Sequence, residues 1–117
     1  MIKSKYSEYV PEVYGNRFDD IITTVCEVFL VSPEELWGYR GAKRTTWARM
    51  LLYKILHTKF GSYSEAARFF KKHPAAANLG ARKFERYVQD FIPLRDMCIE
   101  VGEKTGLKMF RHTNGSN

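Results

Sequence analysis

The sequence predicts an all-α fold: a compact helical domain of five to six helices that contains a helix-turn-helix. Apolar residues recur with helical spacing in one segment after another, and helix-capping residues, prolines and glycines separate these segments. No stretch alternates between apolar and polar residues for long enough to indicate a strand. With 117 residues, of which 44% are hydrophobic, the chain is long enough to bury one modest core.

The first 16 residues are too apolar for a free tail and too irregular for a helix, so we expect an arm that packs on the core. The first helix follows, with apolar residues at helical spacing on one face and Asn16 as the predicted N-cap. The apolar positions of this helix are Phe18, Ile21, Ile22, Val25, Cys26 and Phe29.

A short second helix is predicted at Ser32, which would cap it, with Pro33 at its first position and Glu35 completing a capping box. A long third helix is predicted from Lys43 or Thr46 to Lys59, with Gly61 at its end. Its predicted buried positions are Trp47, Leu51, Leu52, Ile55 and Leu56, and Arg49, Tyr53 and His57 recur every four residues on another face.

Ser62 and Glu65 predict a second capping box, which opens a fourth helix through about Phe70. After a turn at 71–73, Pro74 begins a fifth helix that runs to about Phe91, and Pro93 begins a last helix that ends at Gly106. The fifth helix would face inward with Ala77, Ala81, Phe84, Val88 and Phe91, and outward with Ala75, Ala76, Leu79, Arg82, Lys83 and Arg86. The predicted organisation is therefore an arm (1–16), a helical domain (17–106) and a flexible tail (107–117).

Positive charge is concentrated in two segments of this chain, whose net charge is +6. Residues 39–59 hold six basic and no acidic side chains, residues 68–86 hold six basic side chains and one acidic one, and residues 1–38 have a net charge of −4. Such segregation predicts a positive face, for which nucleic-acid phosphate is the commonest partner on a small domain. The alternative is a solvated basic surface without a ligand.

Several other classes of protein are not indicated. Cys26 and Cys98 lie far apart on apolar helix faces, which predicts buried reduced thiols. No apolar run is long enough to span a bilayer and no signal-peptide core is visible, so we expect a cytoplasmic protein. Adjacent carboxylates such as Glu34 and Glu35 are explained by capping, so we expect neither an enzyme nor a cofactor or metal.

Four segments of the sequence resemble the C-terminal DNA-binding domain of the bacterial replication initiator DnaA. They are VCEVFLVSPEELWG at 25–38, YRGAKRTTWARM at 39–50, SYSEAARFF at 62–70 and ARKFERY at 81–87. The resemblance covers about residues 18–90 and implies a Trp-repressor-like fold whose helix-turn-helix lies at 63–91. The initiator's ATPase module has no counterpart, because a glycine-rich phosphate loop is lacking.

In that family a basic loop and its arginine enter the minor groove, and the recognition helix reads the major groove. The resemblance implies that Arg49 enters the minor groove and that Arg40, Lys43, Arg44 and Thr45 lie near phosphates. The full predicted DNA-binding set is Arg40, Lys43, Arg44, Thr45, Arg49, Tyr53, Ser62, Lys71, Lys72, His73, Ala75, Ala76, Asn78, Leu79, Arg82 and Lys83.

The sequence departs from the family at the start of the recognition helix. The family has Asp-His-Thr-Thr where this chain has His73, Pro74, Ala75 and Ala76, and a second family histidine falls on Leu79, or on Asn78 if the turn is shifted by one residue. Reading of the family's own box sequence is therefore not expected, whereas phosphate binding depends only on charge. The exposed alanines and Leu79 would contact thymine methyl groups or form a small protein-binding patch.

We therefore expect a nucleoid-associated protein that binds double-stranded DNA and regulates replication or transcription. The main alternative is a protein-interaction module, encoded by a phage or mobile element, on a DnaA-like scaffold that has lost base reading. It would bind a replication or defence protein through the Ala75–Leu79 face or the N-terminal arm. A third alternative is the DNA-targeting remnant of a transposase-like enzyme.

Overall fold

The computed structural model of the protein describes residues 3–38 and 42–107, and these residues form helices and no strands. A short 3₁₀ helix at Glu12–Tyr14 precedes the α-helices. The α-helices are α1 (Asp19–Phe29), α2 (Pro33–Leu36), α3 (Lys43–Phe60), α4 (Tyr63–Phe69), α5 (Pro74–Asp90) and α6 (Ile92–Thr105). The predicted all-α fold is confirmed, and the predicted tail lies outside the described residues except for Leu107.

Helix α3 lies at the centre of the molecule and contacts α1, α2, α4 and α5, while α6 packs on α1 and α5. Seven α3 side chains are buried, and the core around them is rich in phenylalanine from α1, α4 and α5. The buried α3 residues are Thr45, Ala48, Leu51, Leu52, Tyr53, Ile55 and Leu56. Burial of this much apolar surface on several sides supplies most of the favourable free energy of folding.

Residues 3–16 lie against the helices and are held by polar and aromatic contacts. The Asp19 carboxylate accepts hydrogen bonds from the Ser4 hydroxyl and the Lys5 N–H, and the Tyr6 hydroxyl is hydrogen-bonded to Thr23. Tyr9 stacks on Trp37 with ring centroids 5.3 Å apart. The arm therefore adds aromatic surface to the core.

The predicted helix starts are observed with two differences. Ser32 and Glu35 form both hydrogen bonds of the predicted capping box. At α4, Ser62 accepts the expected backbone hydrogen bonds, but Glu65 instead pairs with Arg68 at 2.8 Å, so this capping box is incomplete. The prediction that Asn16 caps α1 is wrong, because the helix begins at Asp19 without a side-chain cap.

Three α-helices end on a residue with positive φ, and this residue is glycine in α3 and α6 but leucine in α1. Leu30 ends α1 with φ 56° and is 73% exposed, and Gly61 ends α3 with φ 75°. A side chain in the left-handed region clashes with its own backbone, which glycine avoids. Leu30 is therefore a strained helix end that buries little apolar surface in return.

Replacing Leu30 with glycine should stabilise the protein by about 0.5–1 kcal/mol, because the relief of backbone strain exceeds the added entropy of the unfolded chain. The reciprocal change Gly61→Ala should destabilise it by about 1 kcal/mol. Urea denaturation of both variants measures the two effects. If both changes shift the midpoint in the same direction, this account of the helix ends is incorrect.

The two cysteines are free and buried, as predicted. Burial raises the pKa of the Cys98 thiol to about 12 and that of Cys26 to about 11, and neighbouring glutamates add to the shift at Cys26. A thiol whose pKa is higher in the folded than in the unfolded protein stabilises the fold fully at neutral pH. This contribution to the free energy of unfolding is lost progressively as the pH rises from the unfolded pKa of about 9 to the folded pKa of about 12.

The Cys98→Ala variant should therefore be less sensitive to alkaline pH than the parent protein. Between pH 8 and pH 10 the parent should lose about 1.4 kcal/mol more stability than the variant, since one pH unit separates pH 10 from the unfolded thiol pKa. Urea denaturation of both proteins at the two pH values measures this difference. If the two proteins differ by the same free energy of unfolding at pH 8 and at pH 10, the assigned burial of the Cys98 thiol is incorrect.

Candidate nucleic-acid interface

Two shallow grooves meet at Lys72, in the turn between α4 and α5. The first groove separates α3 from α5, and the second runs between the N-terminal arm, α4 and the start of α5. The first is lined by Thr46, Arg49, Met50, Tyr53, Lys72, Ala76 and Gly80. The second is lined by Pro11, Ser64, Arg68, Lys71, Lys72 and Pro74. The two basic segments of the sequence are therefore neighbours in space.

Close packing between α3 and α5 fixes their relative position. A Cβ atom on Gly80 would lie 3.6 Å from Met50 Cγ and 3.6 Å from Tyr53 Cδ2, so the helices touch at this glycine. Lys54 Nζ is 2.6 Å from Glu85 Oε1. Contacts at these points leave little freedom for α5 to move relative to the start of α3.

The outer end of this contact is less buried than predicted. Trp47 packs against Phe91 with ring centroids 5.3 Å apart, and both rings are partly accessible. Phe91 is 43% exposed, so the prediction that it faces inward is wrong. The helix pattern continues the inward face of α5 to this position, but the chain leaves the helix at Asp90.

Five cationic residues of the predicted set are exposed: Lys43 and Arg44 at the start of α3, Lys71 in the turn, and Arg82 and Lys83 on α5. No carboxylate pairs with any of them in ranges 3–38 and 42–107. Lys43 also lies near an aromatic ring, with Nζ 5.7 Å from the Trp47 ring centroid. Their charges are therefore available for an anionic ligand.

Arg49 has a structural role that its position in the sequence does not reveal. Its Nε donates to the Leu36 carbonyl at 2.9 Å, and its Nη2 donates to the carbonyls of Gly38 at 3.1 Å and Glu35 at 3.3 Å. The Glu35 and Leu36 carbonyls belong to the last turn of α2 and that of Gly38 follows it, and the Glu35 carbonyl also accepts the Gly38 N–H. Entry into a minor groove would require Arg49 to give up these hydrogen bonds, so we assign it to positioning α2.

Three further predicted residues have structural positions. Thr45 and Tyr53 are buried, with 1% and 5% exposure, so Thr45 offers no surface to DNA and Tyr53 offers only the small part that lines the first groove. Burial raises the pKa of Tyr53. The Thr45 hydroxyl has no hydrogen-bond partner among the described residues. Ser62 is the N-cap of α4, and its hydroxyl accepts the N–H groups of Ser64 and Glu65.

The first turn of α5 satisfies its own backbone donors. His73 Nδ1 accepts the Ala75 N–H at 3.1 Å, the His73 carbonyl accepts the Ala76 N–H at 2.9 Å, and Pro74 has no N–H. Outside this turn, the side chains of Asn78 and Leu79 are exposed. Pro74, Ala75 and Ala76 therefore present carbon atoms, and the nearest side-chain donors are His73 Nε2 and the Asn78 amide.

No protein-family model, curated protein or solved structure matches this chain. No group of three or more His, Cys, Asp or Glu side chains in the described ranges is arranged to hold a metal ion. None of the helices in those ranges is long and apolar enough to cross a membrane.

Of the predicted residues, Arg40 lies outside the described part of the chain. The structure adds Arg68 and Thr46 to the neighbourhood of the grooves. The basic run at 68–86 contained a signal for Arg68, because its charge belongs to the same cluster. Nothing in the sequence indicates that Thr46 lines the first groove, since its position there depends on how α5 crosses α3.

Arg49→Ala should destabilise the protein by about 1.5–3 kcal/mol, because three carbonyls lose a charged donor. The matched control Arg44→Ala removes an exposed charge and should change stability by less than about 0.5 kcal/mol. Urea denaturation compares the two variants. Equal effects would contradict the positioning role of Arg49.

Proposed function

We propose that this protein binds double-stranded DNA through the cationic surface where the two grooves meet at Lys72. The observation that carries the proposal is that Lys72 borders both grooves, which joins the start of α3, the turn at 71–73 and the first turns of α5. These parts come from both basic segments of the sequence. The resemblance to the DnaA DNA-binding domain supports the same surface.

Binding would be driven by phosphate neutralisation. Exposed lysine and arginine side chains replace condensed counterions on DNA, and the release of those ions favours the complex. Helix α5 is of a size that the major groove admits, and its exposed face carries Arg82 and Lys83 beside Leu79. Lys43 and Arg44 at the start of α3 would contact the adjacent backbone.

The acidic part of the chain supports one orientation on DNA. Residues 1–16 have no net charge, and the net charge of −4 comes from residues 17–38, which form α1 and α2. Phosphates would repel these elements and attract the basic ones, so the field of the protein would orient it before contact. Acting by occupancy, such a protein would regulate replication or transcription.

A second candidate function is protein binding, and exposed apolar residues favour it. Tyr87, Phe91 and Ile92 are 42%, 43% and 60% exposed at the junction of α5 and α6, close to Trp47. Apolar groups grouped on a surface often mark protein contacts. A stoichiometric protein partner whose binding survives nuclease and moderate salt would favour this function over DNA binding.

Titration of a mixed-sequence duplex at several salt concentrations tests DNA binding. If Lys43, Arg44, Lys71, Arg82 and Lys83 each neutralise one phosphate, log K should fall with log salt at a slope of about −4.5. The double variant Lys71→Ala/Arg82→Ala should have a slope shallower by about 1.8. The affinity of this double variant should be lower than that of the parent protein for every duplex sequence.

The matched control is Arg17→Ala/Lys59→Ala, which removes the same charge from a different groove, beside Phe18 and Phe60. This control should keep the parent slope. If the two double variants lose affinity equally, binding reflects net charge and not the proposed surface. If the parent protein binds no duplex at low salt, the proposed function is incorrect.

A further inference from the structure

We propose that the exposed face of α5 reads thymine methyl groups in the major groove, so that the preferred duplexes are rich in A·T pairs. This inference rests on the proposed DNA binding and concerns how sequence is recognised at the same surface. It uses the three residues at the start of α5 whose chemistry is apolar: Ala75, Ala76 and Leu79.

The first step is that residues 74–76, at the start of the helix, have no free hydrogen-bond donor. The N–H groups of Ala75 and Ala76 are bonded to His73, and Pro74 has none. Alanine and proline side chains carry no polar atoms. Pro74, Ala75 and Ala76 therefore cannot form hydrogen bonds with a base edge in this conformation, and His73 Nε2 is the donor that remains beside them.

The second step is what this face does present. Leu79 is 56% exposed, and Ala75 lies one helical turn before it and is also exposed. In the major groove the C5 methyl of thymine is the feature of a base edge that apolar side chains contact. An exposed leucine beside two alanines complements such methyl groups and not the polar edges of G·C pairs.

The third step is the neighbouring amide. Asn78 is exposed and directly precedes Leu79. Asparagine can form two hydrogen bonds with the N6 and N7 groups of adenine, which pairs with thymine. One A·T pair, or two adjacent ones, would therefore offer a partner to both side chains.

Charge distinguishes DNA from an apolar protein ligand on this face. Arg82 and Lys83 follow Leu79 by three and four residues, and Lys71 and Lys72 precede the helix. An apolar face between two cationic groups matches a groove whose methyl groups lie between two phosphate backbones. Duplex DNA is therefore the ligand that fits this face of α5.

The test compares thymine with uracil, which differ only in the methyl group. Tight-binding sequences are selected from a random duplex library and resynthesised with deoxyuridine in place of every thymidine. Loss of each contacted methyl should weaken binding about fourfold, the factor equivalent to 0.8 kcal/mol per buried carbon group. Both duplexes should keep the same salt slope, since their phosphates are identical.

Two variants assign the effect to α5. Leu79→Ala should lower affinity for the thymidine duplex and leave the deoxyuridine duplex unchanged, so the ratio between them shrinks. Val13→Ala is the matched control, because Val13 is an exposed apolar residue of the arm at 78% exposure. This control should keep the parent ratio. Both substitutions lie on the surface, and circular dichroism confirms that the variants fold.

Each result has one meaning. Selected sequences without thymine enrichment, or equal binding of the two duplexes with the expected salt slope, would overturn methyl reading and leave DNA binding intact. A thymine preference that survives Leu79→Ala would also overturn it, since recognition would then lie elsewhere. Failure of both duplexes to bind would overturn the proposed function itself.

Discussion

The burial of α3 is the constraint on which the rest of the structure depends. Because α1, α2, α4 and α5 all pack on it, this helix has almost no solvent-facing side in its middle. A charged group in such a helix must lie at an end or be satisfied by a neighbour, since an unpaired buried charge is very costly. Lys43 and Arg44 lie at its exposed start, Arg49 donates to carbonyls of α2, and Lys54 pairs with Glu85. The packing of one helix therefore leaves the exposed positive charge of α3 at its ends.

The same constraint explains what could be predicted from the sequence. Helix α5 packs on one side only, so the spacing of Ala77, Ala81, Phe84 and Val88 correctly identified its buried face. In α3 the spacing rule fails, because a helix that is buried on several sides has no single apolar face. Tyr53 was therefore predicted on a different face from the buried stripe. The role of Arg49 was also hidden, since its partners are backbone carbonyls of another helix, which leave no pattern in the side chains.

Arginine performs the same structural task at two helix ends. Arg49 donates to carbonyls at the end of α2, and Arg95 donates from Nε to the Val88 carbonyl at 3.3 Å and from Nη2 to the Gln89 carbonyl at 3.0 Å, near the end of α5. Carbonyls in the last turn lack helical partners and carry the negative end of the helix dipole, which a planar cation with several donors satisfies well. Part of the basic composition therefore holds helices together, and the number of arginines in a sequence overestimates the charge that is available to a ligand.

In the proposed DNA complex, affinity and sequence reading can be separated because different residues would supply them. Phosphate contacts position a protein on DNA and base contacts give specificity, so a change of residues at the start of α5 leaves the surrounding lysines and arginines effective. His73 accepts the N–H groups of Ala75 and Ala76 without any ligand, so the first turn of α5 is already formed before binding. The conformational cost of binding then falls mainly on long cationic side chains, at about 0.5–1.5 kcal/mol for each one that becomes fixed. A rigid apolar face surrounded by mobile charges would tolerate many sequences at low salt. As salt weakens the phosphate contacts, the methyl contacts would decide which duplexes remain bound.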